Sequence, residues 1–175
     1  MQNKNHIQIR IDQLSISIRD LSFIIGKWNG LGHAEYPTIQ PIDYSEELVF
    51  TINNKDAVIH MEQRTWIKSS DHTNDEPIFW ESGFLIDRDN GVFELAVAQK
   101  SGRVEILRCN ARRIGDEAFE FPFESTSIVN DSRMIRSGRI YTISKNVLEY
   151  ELKMSTASNT SYKRHLKCRL TKSDN

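Results

Sequence analysis

The sequence lacks the residues and runs that define several large classes of protein. Its only two cysteines, Cys109 and Cys168, are too few for a disulfide framework and do not have the spacing of a zinc site. A net charge of -1, from 23 basic and 24 acidic residues, gives no general attraction to nucleic acid or an anionic membrane. There is no apolar run long enough to span a membrane and no signal-peptide pattern in residues 1–10. These absences predict a single-domain, soluble protein of the reducing cytoplasm.

Common catalytic and nucleotide-binding motifs are missing as well. There is no Gly-x-Ser-x-Gly elbow, and the glycine-containing stretch at residues 26–39 does not end in the Lys-Ser or Lys-Thr of a P-loop. Pro37 and an alternating segment follow these glycines, so they are better explained as places where a strand bends or another group approaches the backbone. The histidines are scattered and show no metal-ligand spacing: His6, His33, His60, His72 and His165.

Hydrophobic periodicity predicts one short helix followed by many strands. Leu14, Ile18, Leu21 and Ile25 are spaced by four, three and four residues, which is typical of a helical stripe of about three turns. After Gly26 the chain consists of short segments rich in β-branched and aromatic residues, separated by turn signals such as NNKD, DRDNG and KSG. Many short strands without helices between them predict an antiparallel meander, closed as a barrel or folded as a sandwich.

The segment AVIHMEQRTWI, at residues 57–67, has polar residues on both of its strand faces. Ile59 and Met61 share a face with Gln63, whereas the other face carries His60 and Trp66 among charged residues. A small barrel filled by side chains has a purer apolar interior, so this pattern is compatible with an internal cavity that holds a few polar groups. It is also compatible with ordinary surface strands, which are the more common explanation of such a pattern.

Gly26, Trp28, Gly30 and Gly32 form the pattern Gly-x-Trp-x-Gly-x-Gly. This pattern resembles the signature motif of the nitrobindins, the heme-binding branch of the fatty-acid-binding-protein-like barrels. The resemblance continues in order from residue 21 to residue 170 through YPTI, YSEELVF, QRTW, ESGF, AQKSGRVE, LEYELKMST and HLKCRL. It implies an all-β fold, a lipocalin-like antiparallel up-and-down barrel of about ten strands with a short N-terminal helix. This barrel is expected at residues 14–172, after a flexible extension at residues 1–13.

The resemblance also implies a cofactor and a function. Nitrobindins hold a heme b in the mouth of the barrel, and His165 is in the position of their axial iron ligand. Neutral imidazole suits iron, and a single protein ligand leaves the opposite position open for a diatomic molecule. Known members bind nitric oxide and isomerise peroxynitrite to nitrate. The implied function is therefore a ferric heme protein that acts on nitrogen oxides, as a monomer or homodimer. A heme-free carrier of a fatty acid or another small apolar ligand is the alternative.

Further residues around the heme are implied by the same resemblance. Thr38 and Met154 are expected to face the heme, and Arg133 and Arg139 to pair with its propionates, which favour guanidinium forks. Each has a structural alternative: Thr38 could cap a turn, Met154 could belong to the core, and the two arginines could be solvated. Trp28 is expected to plug the floor of the barrel.

Two expectations depend on which face of a strand a residue occupies. In PIFWESG, Phe79 stands where family members often have a histidine, and alternation turns its neighbour Trp80 outward. Phe79 is expected to make the distal pocket drier, since a phenyl ring offers no hydrogen bond. Strict alternation groups His165 with Lys167 and Arg169 on a polar face. The imidazole can face inward only if the strand contains a bulge there or begins after it.

Overall fold

A computed structural model describes residues 16–37, 40–53, 58–67 and 77–173 of the 175-residue chain. Within these residues the chain forms a 3-10 helix, Ile18–Ile24, and eleven strands. The strands are β1 Gly26–Ala34, β2 Ile42–Ile52, β3 Val58–Ile67, β4 Phe79–Asp87, β5 Val92–Gln99, β6 Val104–Asn110, β7 Arg112–Gly115, β8 Ala118–Val129, β9 Met134–Ser144, β10 Val147–Thr156 and β11 Asn159–Lys172. No helix in the described part of the chain has the length and apolar character needed to cross a bilayer.

The strands form one antiparallel sheet that closes on itself. Neighbours pair in the order β6-β5-β4-β3-β2-β1-β11-β10-β9-β8-β7, and β6 also pairs with β8. Strand β7 follows β6 after a break at Ala111, and both pair with β8 at successive positions. If β6 and β7 are counted as one interrupted strand, the sheet is a closed up-and-down barrel of ten strands. The fold predicted from the sequence is confirmed.

The 3-10 helix covers one end of the barrel. Its residues Leu21 and Ile24 are fully buried, and the fully buried Trp28 of β1 donates its indole N–H to the carbonyl oxygen of Ile24 at 2.8 Å. Trp28 therefore plugs the barrel floor, as the sequence predicts. This seven-residue 3-10 helix is shorter than the predicted helix of about three turns, and it is more tightly wound than an α-helix. Leu14, the first residue of the predicted helix, lies outside the described residues. The predicted N-terminal extension at residues 1–13 lies outside them too.

The glycines of the first strand allow close packing. A Cβ atom on Gly30 would lie 2.0 Å from the carbonyl oxygen of Arg169 in β11, and one on Gly32 would lie 2.1 Å from Cζ of Tyr44 in β2. Gly26 begins the strand with a φ of 123°, which side-chain-bearing residues rarely adopt. These glycines bring neighbouring groups close to the backbone, in agreement with the interpretation that they do not form a phosphate loop.

The interior changes from apolar to polar along the barrel axis. Near the helix it is lined by aliphatic and aromatic side chains: Ile24, Phe50, Met61, Leu85, Leu95, Phe121, Phe123 and Ile143. Further along, a layer of buried polar side chains follows: Glu46, Gln63, Thr65, Glu81, Gln99, Glu105 and Arg139. The polar residues that alternate into the inner face of β3 belong to this layer, so the mixed pattern of that segment reflects a polar interior.

Candidate functional site

Two connected cavities open at the end of the barrel opposite the helix. A cleft of about 840 Å³ lies at the mouth, and an inner chamber of about 220 Å³ lies below it. Side chains at the boundary line both spaces: Tyr36, Ile78, Phe79, Arg103 and Met154. A concave site of this size, with apolar and polar side chains in its wall, is typical of cofactor and ligand sites.

His165 lines the mouth cleft because β11 contains a bulge. Arg164 pairs with Lys153 and Leu166 pairs with Leu152, so that His165 is the extra residue between two consecutive pairs. The bulge turns the imidazole inward, where the residue is only 5% exposed. Of the two arrangements that would bring this histidine inside, the structure shows the bulge.

The segment after β1 holds the imidazole by two contacts. Nδ1 of His165 lies 3.1 Å from the carbonyl oxygen of Glu35, and the ring of Tyr36 stacks on the imidazole at 5.4 Å between centroids with 7° between planes. The backbone N–H of Glu35 donates in turn to the carbonyl oxygen of His165 at 2.6 Å. Because a carbonyl oxygen can only accept, the hydrogen bond requires the proton on Nδ1. In the neutral ring, the lone pair of Nε2 is then available to a metal.

The wall of the cleft carries the two apolar residues that were expected there. Phe79, the first residue of β4, and Met154, in β10, line both cavities. Trp80 points outward, is 43% exposed, and lies with its ring centroid 4.7 Å from the guanidinium carbon of Arg64. The expected directions of Phe79 and Trp80 are confirmed. Thr38 lies outside the described residues.

The two arginines expected near the propionates lie at different depths. Arg133 lines the mouth cleft with 81% of its side chain exposed, and its Nε donates to Oδ1 of Asp131 at 2.9 Å. Arg139 is 2% exposed and lines the inner chamber, where it donates to both carboxylate oxygens of Glu81. A third hydrogen bond, of 3.2 Å, reaches Oε2 of Glu105. The expectation for Arg139 is therefore corrected: buried carboxylates already neutralise its charge, and it does not reach the rim.

Two cleft residues, Arg103 and Tyr36, were not singled out by sequence patterns. Arg103 lines both cavities, with Nε 2.9 Å from Oε1 of Glu105 and Nη1 3.6 Å from Oδ2 of Asp131. The available signal was their position inside two of the motifs, AQKSGRVE and YPTI. Motif membership alone does not distinguish a cleft residue from a packing residue, since AQKSGRVE also contains the buried Glu105.

A buried chain of hydrogen bonds lies at the floor of the inner chamber. Tyr150 donates its hydroxyl to Oε2 of Glu46 at 2.7 Å and accepts a hydrogen bond from Nε2 of Gln63 at 2.8 Å. Loss of solvent on burial raises the pKa of Glu46 to about 7, although the hydrogen bonds from Tyr150 and Gln63 lower it. The nearby hydroxyl of Tyr44 has no hydrogen-bond partner among the described residues. The chamber is thus polar at its floor and apolar toward the cleft.

Together these features define a class of protein: a closed β-barrel with a cofactor-sized cleft at its mouth and a buried imidazole, that of His165, in the wall of the cleft. The comparison with known sequences gives the family. Residues 17–172 match the THAP4-like, heme-binding beta-barrel domain, and the chain belongs to this family, that of the nitrobindins.

Named relatives and a solved structure agree with this assignment. The chain is 32% identical over 155 residues to "peroxynitrite isomerase Rv2717c" of Arabidopsis thaliana, over 89% of this chain and 88% of that protein. It is 30% identical over 141 residues to a peroxynitrite isomerase of Nocardia farcinica, over 79% and 80% of the two chains. The crystal structure of Rv2717c from M. tuberculosis superposes with a TM-score of 0.80 at 27% identity, covering 92% of this chain and 99% of that one.

The residues at the mouth fit a heme. The buried imidazole of His165 is a ligand suited to iron, and Ile78, Phe79 and Met154 supply an apolar wall for a flat porphyrin. The guanidinium group of Arg133 at the rim is suited to carboxylates that reach water. Both cysteines of the sequence are buried and neither lines the cleft or the chamber, so no thiol is in place to bond a heme covalently.

Proposed function

We propose that the protein binds heme b without a covalent link, with His165 as the axial ligand of ferric iron, and isomerises peroxynitrite to nitrate. The observation that carries this proposal is the imidazole that the β11 bulge turns into the cleft, with its Nδ1 proton held by Glu35. The names of the relatives in A. thaliana and N. farcinica support the reaction. Nitric oxide is the second small ligand that we propose for the same open iron position.

The chain's own residues prepare the site for this chemistry. When bound, the heme supplies an iron that polarises the oxidant as a Lewis acid. The carbonyl oxygen of Glu35 keeps the proton on Nδ1 of His165, so that the lone pair of Nε2 points away from this hydrogen bond. Phe79 covers part of the wall with a ring that neither donates nor accepts hydrogen bonds, which keeps that side of the cleft dry.

Charged side chains at the mouth favour anions. Arg133, Arg103 and Lys100 line the cleft, where Asp131 is the acidic residue among the lining side chains. We propose that Arg133 and Arg103 pair with the heme propionates, since guanidinium groups bind carboxylates through two parallel hydrogen bonds.

The heme-free carrier of a fatty acid is less well supported by the same cavities. A carboxylate bound in the inner chamber would need a cation, and the guanidinium groups that line the chamber are those of Arg139 and Arg103. The Nη atoms of Arg139 already donate to Glu81 and Glu105, and Arg103 already pairs with Glu105 and Asp131. A fatty acid would have to compete with two carboxylates that are part of the protein.

Heme titration of His165→Ala tests the assignment of the ligand. We expect the variant to lose the Soret band of the ferric complex and its heme affinity to fall at least about 100-fold. This loss is larger than the one caused by removing a residue that only hydrogen-bonds to a metal ligand. His60→Ala is the matched control, because His60 lies on the outer side of β3 and contacts Ser82 at 2.9 Å. Unchanged affinity and spectrum in His165→Ala would overturn the ligand assignment.

The reaction itself has a separate test. Stopped-flow mixing of peroxynitrite with the ferric wild-type protein is expected to accelerate the decay of the oxidant and to raise the yield of nitrate over nitrite. His165→Ala and the apo-protein are expected to show only the spontaneous rate. If the protein binds heme through His165 but does not accelerate the decay, the reaction is wrong and the heme site stands.

A further inference from the structure

We propose that Tyr36 is a positioning residue for His165, whose ring plane it sets while Glu35 sets the tautomer. This inference rests on the proposed ligand role of His165. Tyr36 belongs to the YPTI motif, to which the sequence assigned no role beyond Thr38. Its nearly parallel stack on the imidazole, at 5.4 Å and 7°, is the observation that carries the inference.

A hydrogen bond at one atom does not by itself fix an imidazole. The torsion that turns the ring about its bond to Cβ has broad minima, so a ring held only at Nδ1 can still tilt. The stacked ring of Tyr36 blocks this tilt on one face of His165. Tyr36 is itself restrained, because its partly buried side chain packs against the hydrophobic core of the barrel.

The bulge makes such support necessary. The extra residue of a β-bulge is left unpaired by the neighbouring strand, and here β10 offers His165 no partner. The segment after β1 replaces that partner: the N–H of Glu35 binds the carbonyl oxygen of His165, and the carbonyl oxygen of Glu35 accepts from Nδ1. Tyr36 follows directly, so two consecutive residues provide the backbone, tautomer and ring-plane contacts. Pro37 restricts the backbone of Tyr36 to extended conformations, which helps to keep this geometry.

The orientation matters because the metal bond lies in the plane of the imidazole. Rotation of the ring by half a turn would exchange the places of Nε2 and the carbon Cε1, and carbon cannot bind iron. A smaller tilt would direct the Nε2 lone pair away from the cleft. The stacked ring of Tyr36 fixes the plane of the imidazole and so opposes the tilt. The carbonyl oxygen of Glu35 holds Nδ1 on its side of the ring and so opposes the half-turn.

The test begins with the apo-protein, so that it does not depend on heme. In wild type, ¹⁵N NMR of His165 is expected to show the Nδ1–H tautomer, with its ring protons shifted upfield by the stacked Tyr36. Tyr36→Leu is expected to lose the upfield shift and to broaden the ring signals through tilting, with the Nδ1–H tautomer held by Glu35 retained, whereas Tyr36→Phe is expected to keep the wild-type shift and line width. In heme titrations, Tyr36→Leu is expected to lose about 10-fold in affinity, the order found when the partner of a metal-binding histidine is removed.

A matched control is available on β11. Tyr162 lies three residues before His165, donates its hydroxyl to Glu124 at 2.8 Å and stacks with Arg136, and it lines neither cavity. Tyr162→Leu should leave the NMR signals of His165 unchanged. If it shifts them as much as Tyr36→Leu does, the effect is general and the proposal is overturned.

The other outcomes separate this inference from the proposed function. If the NMR signals of His165 in the apo Tyr36→Leu variant are the same as in wild type, the positioning role is overturned, whatever the heme titration shows. A Tyr36→Phe variant that behaves like Tyr36→Leu overturns the stacking basis, because the ring alone is then insufficient. A third outcome is that Tyr36→Leu shows the expected NMR changes while His165→Ala binds heme as wild type does. The positioning of the His165 ring by Tyr36 then stands, and the assignment of His165 as the iron ligand is rejected.

Discussion

Replacement of Glu46 by glutamine is expected to remove a pH-dependent loss of stability. Glu46 is 2% exposed; its Oε2 accepts a hydrogen bond from Tyr150 at 2.7 Å, and its Oε1 has no partner among the described residues. An ionised carboxylate is costly in such surroundings, and burial therefore raises the pKa from 4.5 to about 7. Glutamine retains an oxygen that can accept from Tyr150 and carries no charge at any pH.

The sign and size follow from the two pKa values. The pKa of Glu46 is higher in the folded state, so as the pH rises the unfolded chain releases its proton first. The free energy of unfolding of the wild type therefore falls as the pH rises from about 4.5 to about 7, and the loss is complete above that range. A difference of about 2.5 units at about 1.4 kcal/mol per unit is about 3 kcal/mol. For a chain of this size this equals a change in Tm on the order of 10 °C.

Urea unfolding of the apo-proteins at about pH 5 and about pH 8 measures this effect. The free energy of unfolding of Glu46→Gln, relative to wild type, is expected to increase by up to about 3 kcal/mol between the two pH values. Glu47→Gln is the matched control, because the next side chain points outward and pairs with Lys27 at 2.8 Å. A difference for Glu46→Gln that is constant with pH, or that moves in favour of the wild type, would refute the reasoning.

Two further predictions concern opposite ends of the barrel. Phe79→His is expected to shift the ferric absorption spectrum toward a six-coordinate form, because it adds a nitrogen donor to the cleft wall, whereas Trp80→His on the outer face should leave the spectrum unchanged. A spectrum altered only by Trp80→His would contradict the register of β4. Trp28→Ala is expected to cost about 3–5 kcal/mol in urea unfolding, since the ring is fully buried. Heme affinity of the folded variant should not change, because Trp28 lines neither cavity, and a loss of affinity at full stability would contradict its role as a plug.

Strand alternation predicted side-chain directions wherever the ladder is regular. β3 and β4 pair without interruption, and Phe79 and Trp80 therefore point as the pattern requires. In β11 the same reasoning would have placed His165 outside with Lys167. Glu35, which holds the bulge by a hydrogen bond, is 130 positions from His165 along the chain. The local sequence HLKCRL contains no sign of an extra residue. The family resemblance selected a histidine that lines the cleft, but the geometry that turns it inward required the structure.

The depth of Arg139 was unpredictable for a similar reason. Its charge is compensated by Glu81 and Glu105, which are 58 and 34 residues away along the chain. A polar residue in an alternating strand is by default assigned to solvent or to a rim, since burial of a charge is costly without a partner. Only the closed barrel brings these three side chains together.

The bulge at His165 also changes the parity of β11. On its C-terminal side the buried positions are even-numbered, Cys168 and Leu170, whereas the residues of this strand that line the cleft are odd-numbered, His165 and Asn159. In β11, odd-numbered residues therefore point inward before the bulge, toward the binding site. Even-numbered residues point inward after it, toward the hydrophobic core. Deletion of the single residue before His165 would remove the bulge and restore regular inward and outward alternation along the whole strand. The core would remain complete, and the imidazole would face water on an otherwise unchanged barrel.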